Sequence, residues 1–418
     1  MKTPDPLRRR WIILALIFCA FVLSYVDRQI LSVLKPAIKA EFALDDRGYA
    51  LLANVFVACY AACYAGAGWL VDRFGAGRMM LCSLAGWSCA CAGAAFTKTF
   101  GQMAFFRGAL GIAEPLAFPS QLRAVTLWFP ARMRATANSV CAAGSTVGAI
   151  VAVPLVSWLA LRSGWRAAFV VPGAAGLLVA LGWKIFYRDP PPDVRAANTG
   201  AAGAEKGFAW PRLWRTRSLW GIVLSRFISD PVWYFCLMWL PGYLQEQSGL
   251  SLRQIAWCGW IPFLAADLGG IGSSALSDRL VKRGVESLRA RKLTLAGAAC
   301  LAPVCALTPH LPHAFATIAI FCLVGIVCLT WLFNLGVVVA EAFPAANVGS
   351  VWGIAGAFGA GGAILFNVFV GEAMMSAGPG KMFAVMAVLH PLAALVLWKM
   401  IRREKPVQTP APAANATP

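Results

Sequence analysis

The sequence predicts an all-α membrane protein with twelve transmembrane helices, arranged as two pseudo-symmetric six-helix bundles. Three observations lead to this fold class. Of the 418 residues, 59% are hydrophobic and only 13% are charged, whereas about a quarter of the residues in soluble domains are charged. Apolar runs long enough to cross a bilayer recur along the chain. One long polar stretch separates two halves that share a repeated charge motif.

The apolar runs predict the helices in chain order. About twelve stretches approach or reach the roughly 17–25 residues that a membrane-spanning helix needs. They lie at 11–34, 48–71, 79–97, 102–122, 136–160, 167–187, 218–244, 255–277, 293–309, 314–340, 350–376 and 382–401. The first run follows a basic cluster, but it is too long for a cleaved secretory signal and lacks a small-residue cleavage site.

The net charge of +19 follows the expected topology. If the amino terminus is cytoplasmic, Lys and Arg concentrate in the inner segments, and the outer loops are short and poorer in cations, as the positive-inside rule requires. We therefore expect a multi-pass protein of a bacterial-type inner membrane with both termini cytoplasmic. The charge does not indicate a nucleic-acid partner.

The residues that could support chemistry are scattered. All 13 cysteines lie in or beside apolar runs, without CxxC pairs or a histidine cluster of metal-site spacing. No nucleotide-binding loop or Ser-His-Asp set is present in the sequence. We expect neither an enzyme nor a bound cofactor or metal, so that any work the protein performs draws on an ion gradient.

The stretch "RDPPPDVRAANTGAAGAEKGFAWPRLWRTR" is polar and rich in Pro, Gly and Ala, which is typical of a linker. The predicted organisation is an amino-terminal bundle at 1–187, a cytoplasmic linker at 188–217, a carboxyl-terminal bundle at 218–403 and a disordered tail at 404–418. A motif repeats across the linker, "GWLVDRFGAGR" in the first half and "SSALSDRLVKRG" in the second. The repeat indicates a duplicated six-helix unit.

The first copy of this motif resembles the loop between helices 2 and 3 of the major facilitator superfamily. The resemblance implies the major facilitator fold. It also implies a gating or structural role for the charges of the two copies, in which the cationic end contacts a neighbouring helix. These charges are Asp72, Arg73, Asp278 and Arg279.

A narrower resemblance extends through most of the chain and is strongest in the amino-terminal half. The segments "YVDRQILSVLKPAIKAEF", "FRGALGIAEPLAFPS", "WFPARMRATANS", "GWRAAF" and "DPVWYFCLMWLPGYL" are together similar to the anion:cation symporter family, especially its hexuronate and sugar-acid branch. That family couples the uptake of organic anions to a cation, usually a proton. The resemblance implies a monomeric carrier whose partners are a small organic anion, protons and the lipid bilayer.

Four charged residues fall within predicted helices, namely Asp27, Arg28, Arg107 and Glu114. A charge at the centre of a membrane helix costs roughly 2.5–3.5 kcal/mol on insertion scales, so each needs a partner, a water-filled cavity or a function. Neighbouring helical residues point about 100° apart, so Asp27 and Arg28 address different surfaces. Arg107 and Glu114 share a face but stand roughly 10 Å apart along the axis.

Glu114 is the predicted proton carrier, because a poorly hydrated cavity favours the protonated form of a carboxyl group. A structural carboxylate is the alternative interpretation of Glu114. The resemblance implies that matching carboxylates of helices 1 and 4 take part in proton coupling, which makes Asp27 the second candidate. A salt bridge between helices is the alternative for Asp27, and Arg107 would organise Glu114 or a gate.

Arg28 is the predicted anion ligand, since a guanidinium binds a carboxylate through two parallel hydrogen bonds. The resemblance assigns the same role to an arginine at this place. Tyr25 lies one turn before Arg28 and can supply a hydroxyl contact, or pack as an aromatic. Ser145 falls where some sugar-acid carriers have a glutamine that contacts substrate hydroxyls.

The second half adds further candidates. Arg226 and Asp230 have i, i+4 spacing and are expected to pair with each other. Tyr234, Asn334 and Asn367 are predicted to bind substrate, although an asparagine at membrane depth can equally bridge two helices.

The leading hypothesis is a proton-coupled symporter that imports small organic anions, especially sugar acids such as hexuronates or aldonates, by alternating access. Monocarboxylates, dicarboxylates and aromatic acids remain alternative substrates. Sodium coupling and uncoupled facilitated diffusion also remain open, as does a membrane anion sensor without transport.

Overall fold

The computed structural model of the protein describes residues 6–191, 194, 210–311, 313–376 and 378–402. Within these residues the regular elements are all helices, with no β-strand. Most of the predicted linker at 188–217 and the predicted tail at 404–418 lie outside the described residues. The bundle boundaries thus stay a prediction.

Twelve long helical segments match the predicted runs. In the first half they are α1 (Pro6–Val33), α2 (Asp46–Phe74), α3 (Ala76–Ala94), α4 (Phe100–Ala113 and Ala117–Trp128, joined by the 3-10 turn Glu114–Leu116), α5 (Ala131–Ser163) and α6 (Ala167–Phe186). In the second half they are α7 (Arg217–Met238), α8 (Leu252–Cys258 and Ile261–Lys282), α9 (Ser287–Ala299, followed by the 3-10 helix Ala302–His310), α10 (Ala314–Ala342), α11 (Ala345–Ser376) and α12 (Pro379–Met400). Short helices occupy Lys35–Glu41, Trp210–Trp214 and Leu240–Glu246.

Membrane-spanning character is strongest in a subset of these segments. Of the described helices, 8 are long and apolar enough to cross a bilayer, and α2 becomes a ninth if its two parts, bent by 53°, form one span. The helices α3, α4 and α7 do not meet this criterion. Pro115 divides α4, since proline lacks the backbone N–H that the helix ladder needs.

The two halves repeat one packing pattern. In the first half α1 packs on α5, α2 on α4 and α3 on α6. In the second half α7 packs on α11, α8 on α10 and α9 on α12, which are the equivalent pairs. Between the halves, α2 contacts α11 and α5 contacts α8, again as equivalent pairs. The repeated pattern is the pseudo-symmetry that the duplicated sequence predicts.

Glycines let two helix pairs approach closely around the centre of the first half. A Cβ on Gly148 of α5 would lie 2.4 Å from the Val22 carbonyl oxygen of α1, and one on Gly111 of α4 would lie 2.6 Å from the Phe56 carbonyl oxygen of α2. Small residues permit such backbone contact in membrane bundles. Helix α1 therefore lies against α5, and α2 lies against α4, with their backbones in close contact.

The halves are joined where α1 ends and α2 begins, which we call the closed end. Lys35, fully buried, bonds Glu246 of the second half at 2.5 Å and Asp46 at 2.8 Å. Arg47 pairs with Glu372 of α11 at 2.6 Å. Rings of Tyr49 and Trp239 cover Lys35 at 5.3 and 4.7 Å, which compensates part of the cost of burying its charge.

Candidate functional site

A cavity of about 880 Å³ lies between the two halves. From the middle of the molecule it reaches away from the closed end as far as Leu122 of α4 and Asn138 of α5. Helices α1, α2, α4 and α5, with Trp87 of α3, supply its amino-terminal wall. Helices α7, α8, α10 and α11, with His390 of α12, supply its carboxyl-terminal wall. Its size lies in the range of small-molecule sites, which is about 300–1,000 Å³.

An ion pair stands on the amino-terminal wall. The Nε of Arg28 in α1 donates to Oε1 of Glu114 in α4 at 2.7 Å, and the Ser24 hydroxyl donates to the same oxygen. The Arg28 guanidinium lies 5.0 Å from the ring centroid of Tyr25 and 4.9 Å from that of Tyr60. The other carboxylate oxygen of Glu114 is buried without a partner in the described structure.

The break in α4 places Glu114 there. Glu114 opens the 3-10 turn before Pro115, and the residue preceding a proline is biased away from α-helical geometry. The Ser83 hydroxyl of α3 donates to the Ala113 carbonyl oxygen at 2.6 Å, which satisfies a backbone group at the break. The carboxylate thus projects from an irregular turn toward α1 rather than along a continuous helix.

Asp27 and Arg107 lie behind this wall rather than on it. Oδ1 of Asp27 accepts from the Cys91 thiol at 3.2 Å, and Oδ2 has no partner among the described residues. The Arg107 guanidinium stacks on Phe56, 4.8 Å from its centroid. Neither side chain forms an ion pair within the part of the chain that is described, so a helix-packing salt bridge does not account for Asp27. As expected, Asp27 and Arg28 address different surfaces.

The carboxyl-terminal wall carries the second arginine. Arg226 pairs with Asp230 one turn later in α7 at 2.7 Å, which confirms the predicted i, i+4 pair. The ring of Trp352 in α11 covers the Arg226 guanidinium at 4.4 Å. Tyr234 lines the cavity together with Arg28 and Arg226. Two arginine–carboxylate pairs therefore flank one space.

A hydrogen bond links the two walls. The Thr146 hydroxyl of α5 donates to Oδ1 of Asp267 in α8 at 3.0 Å. Ser145, next to Thr146, also lines the cavity. Asp267 has no cationic partner among the described residues. The rest of the cavity lining is a mixture of aromatic and polar side chains.

The structure has two of the predicted substrate residues, Asn334 and Asn367, away from the cavity. Asn334 is fully buried and donates to the Ser273 hydroxyl at 3.2 Å and to the Thr330 carbonyl oxygen at 3.0 Å. Asn367, also fully buried, donates to Asn54 at 2.9 Å and accepts from the Trp239 indole at 3.1 Å. Neither lines the cavity. Both bridge helices through hydrogen bonds, and Oδ1 of Asn334 has no partner among the described residues.

The repeated motif charges lie away from the cavity. Asp72 pairs with Arg123 of α4 at 2.8 Å, and Asp278 pairs with Arg291 of α9 at 2.6 Å. The Arg73 guanidinium covers the ring of Trp69 at 5.6 Å. Arg279 is exposed. The aspartates thus hold neighbouring helices within each half, which leaves the predicted gating role a prediction.

Several cavity residues were missed at the level of sequence. They are Ser24, Tyr60, Tyr64, Gln121, Asn138, Trp352 and His390. The tyrosines Tyr60 and Tyr64 stack on each other with centroids 5.7 Å apart, and their i, i+4 spacing in an apolar run was a usable signal. His390 is buried with neither ring nitrogen bonded in the described structure. No metal-binding group of three ligands occurs among the described residues.

Comparison with known proteins defines the class. The sequence profile of the Major Facilitator Superfamily matches residues 17–367. The chain belongs to this superfamily of membrane transporters, and it is not an enzyme.

Two relatives narrow the comparison. The chain is 28% identical over 415 residues to the hexuronate transporter of Escherichia coli strain K12, covering 96% of this chain and 95% of that protein. It is 33% identical over 277 residues to the galacturonate transporter of Dickeya chrysanthemi, covering 63% of this chain and 79% of that protein. Related proteins thus transport sugar acids.

A solved structure supports the fold alone. The crystal structure of a D-xylose-proton symporter superposes with a TM-score of 0.74 at 16% sequence identity, covering 94% of this chain and 98% of that one. The predicted all-α fold with two six-helix bundles is confirmed.

Proposed function

We propose that the protein is a proton-coupled symporter that imports small sugar-acid anions, such as hexuronates or aldonates, by alternating access. The observation that carries this proposal is the Arg28–Glu114 ion pair on the cavity wall. It places the side chain best suited to bind a carboxylate in direct contact with a carboxyl group that can take up a proton. The sugar-acid relatives support the choice of substrate class.

The pair suggests how proton and anion bind together. With Glu114 ionised, the Arg28 guanidinium is already engaged at 2.7 Å. A proton on Glu114 removes the negative charge, so that Arg28 is free to bind an incoming carboxylate through two hydrogen bonds. Anion binding in turn favours the protonated Glu114, because the two negative charges no longer compete for one cation. The coupling is thus a consequence of one arginine serving two carboxylates in turn.

Asp27 is the second proposed proton site. It is 2% exposed, and its described hydrogen bond comes from a thiol, which is a weak donor. A buried carboxylate without a cation carries a large desolvation cost. Protonation removes that cost, and its position behind Arg28 lets the Asp27 charge act on the same site. No bound cofactor is required, since the proton gradient supplies the energy.

Alternating access follows from the repeated packing. With the predicted topology, in which both termini are cytoplasmic, the closed end faces outward and the cavity extends toward the cytoplasm. The outward-facing state would then require the ion pairs of the closed end to separate. Equivalent contacts, α2 with α11 and α5 with α8, allow the halves to rock about the cavity. We propose a monomer in a bacterial inner membrane as the working unit.

The test is the variant Glu114→Gln in proteoliposomes. A glutamine mimics the protonated acid, so counterflow exchange of galacturonate should persist while accumulation driven by a pH gradient fails. A sensor or an uncoupled carrier would show no such split. Full uphill accumulation by Glu114→Gln would remove Glu114 from proton coupling.

The matched control is Glu41→Gln. Glu41 lies in the short helix Lys35–Glu41, and its hydrogen bond with Arg166 holds the pKa of this carboxyl below its usual range. It is therefore a charged partner of an arginine, as Glu114 is, but it lies outside the cavity. Glu41→Gln should keep both exchange and uphill accumulation.

A further inference from the structure

The charges of the cavity differ between its two walls. Besides His390, the lining residues with acidic or basic side chains are Arg28, Glu114, Arg226, Asp230 and Asp267. On the amino-terminal wall one arginine faces one carboxylate, and a proton on that carboxylate would leave a net positive wall. On the carboxyl-terminal wall one arginine faces two carboxylates. The amino-terminal wall is therefore suited to the carboxylate end of a substrate, and the carboxyl-terminal wall to an uncharged, hydroxylated end.

On the carboxyl-terminal wall, the arginine is not available to a second anionic group. Arg226 and Asp230 are neighbours on one helix, 2.7 Å apart, with side chains only 12% and 14% exposed. Their separation is set by the turn of α7 rather than by the distance between two helices. Trp352 covers the guanidinium at 4.4 Å. Arg226 is thus held by an adjacent carboxylate that moves with it.

Asp267 adds an unpaired acceptor to this wall. One oxygen accepts from the Thr146 hydroxyl at 3.0 Å, and the residue is 7% exposed. A carboxylate that faces a cavity without a cationic partner accepts hydrogen bonds from hydroxyl groups. It repels a second carboxylate, and such a repulsive element is how many sites reject a near-identical ligand.

We infer that the transported sugar acid carries a single carboxylate, and that Asp267 is the residue that excludes sugar acids with two. The carboxylate end binds Arg28, and the hydroxylated end lies against Asp267 and the Arg226–Asp230 pair, where carboxylate oxygens accept from its hydroxyls. This inference rests on the proposed function and narrows its substrate to monoanionic sugar acids.

The test uses two ligands that differ at one end. Galactonate and galactarate share a hydroxylated six-carbon chain, and galactarate has a carboxylate where galactonate has a hydroxymethyl group. Unlabelled galactonate and galactarate compete for uptake of labelled galactonate in proteoliposomes. In the wild type, galactonate should compete at least about tenfold more strongly than galactarate. The reason is that one like-charge contact in a partly buried site costs more than about 1.4 kcal/mol, which corresponds to tenfold in affinity.

Two variants assign the preference to a charge. Asp267→Asn keeps the size and the acceptor for Thr146 while removing the charge, so it should strengthen competition by galactarate relative to galactonate by about tenfold. Thr146→Val removes the hydroxyl donor and leaves the charge. The ratio of competition by galactarate to competition by galactonate should therefore stay that of the wild type. The ratio is read within one preparation and does not depend on how much protein is active.

Each outcome of the competition assay either supports or overturns the role of Asp267. Equal competition by both ligands in the wild type would overturn the inference without any variant, and so would an unchanged ratio in Asp267→Asn. A matching shift in Thr146→Val would assign the effect to the interhelical hydrogen bond and overturn the role of the charge. Failure of the proposed function looks different, since the wild type would then take up neither galactonate nor galacturonate.

Discussion

Two arginine–carboxylate pairs with the same separation of 2.7 Å line one cavity, and they are built differently. Arg28 and Glu114 come from separate helices, α1 and α4, and are 86 residues apart in the chain. Arg226 and Asp230 lie on one helix, 4 residues apart. A pair between helices can open when one helix moves or when one partner is protonated. A pair within a helix keeps its spacing, so it serves as a fixed polar surface.

This difference gives each wall of the cavity a separate role in the proposed mechanism. The amino-terminal wall would exchange Glu114 for the substrate carboxylate as the partner of Arg28. The carboxyl-terminal wall would present Asp230 and Asp267 to the hydroxylated end of the substrate. Substitutions in the first pair should therefore impair transport strongly, and substitutions in the second should change selectivity or affinity modestly.

Arg28→Lys should have the largest effect. Lysine keeps the charge but cannot form two parallel hydrogen bonds to a carboxylate. We expect kcat/KM for galacturonate uptake to fall by about 10- to 100-fold, since hydrogen bonds to charged groups contribute roughly 1.5–3 kcal/mol. Initial rates in proteoliposomes measure it, with Arg166→Lys, at an exposed ion pair outside the cavity, as the control. Wild-type kinetics would remove Arg28 from the anion site.

Ser145→Ala should have an intermediate effect that depends on the substrate. The hydroxyl lines the cavity, and a neutral hydrogen bond contributes about 0.5–1.5 kcal/mol. Uptake of hydroxylated acids should weaken by about two- to tenfold relative to a carboxylate without hydroxyls. The comparison requires one panel of labelled anions. Unchanged relative uptake across the panel would place Ser145 outside the substrate contacts.

Asp230→Asn should have the smallest effect on affinity and none on coupling. Asparagine keeps the volume of the side chain and an acceptor oxygen for Arg226, so we expect a change in KM of about two- to fivefold, equivalent to about 0.4–1 kcal/mol. The ratio of internal to external substrate under a fixed pH gradient should equal that of the wild type. A collapse of that ratio would show that the second pair carries the proton as well, and the division between the walls would fail.

Sequence reasoning predicted the fold well because its signals are local. Apolar length and the repeated Asp-Arg motif follow from the bilayer and from duplication, so they needed no knowledge of packing. The i, i+4 pair Arg226–Asp230 was predictable for the same reason. Glu114 stood out because a carboxylate is rare within an apolar helix.

The partners of those residues were not predictable from one sequence. The Arg28–Glu114 contact depends on where the break in α4 lies relative to α1, and Asp267 meets Thr146 only because α5 packs on α8. Asn334 and Asn367 show the same limit. Their polarity within an apolar run left both a substrate site and a bridge between helices open, and in the structure each bonds to a neighbouring helix. Burial of a polar side chain alone does not distinguish these outcomes.

The central claim, that Glu114 takes up a proton when an anion binds Arg28, is tested most directly by counting protons during binding. Isothermal titration of galacturonate into purified protein, in two buffers of different ionisation enthalpy at one pH, measures the protons taken up per bound anion. Because proton uptake is linked to anion binding in this account, Glu114 of the wild type should take up at most about one proton per bound anion. In Glu114→Gln the count should fall by that amount while galacturonate still binds. An equal count in the two proteins would contradict the account.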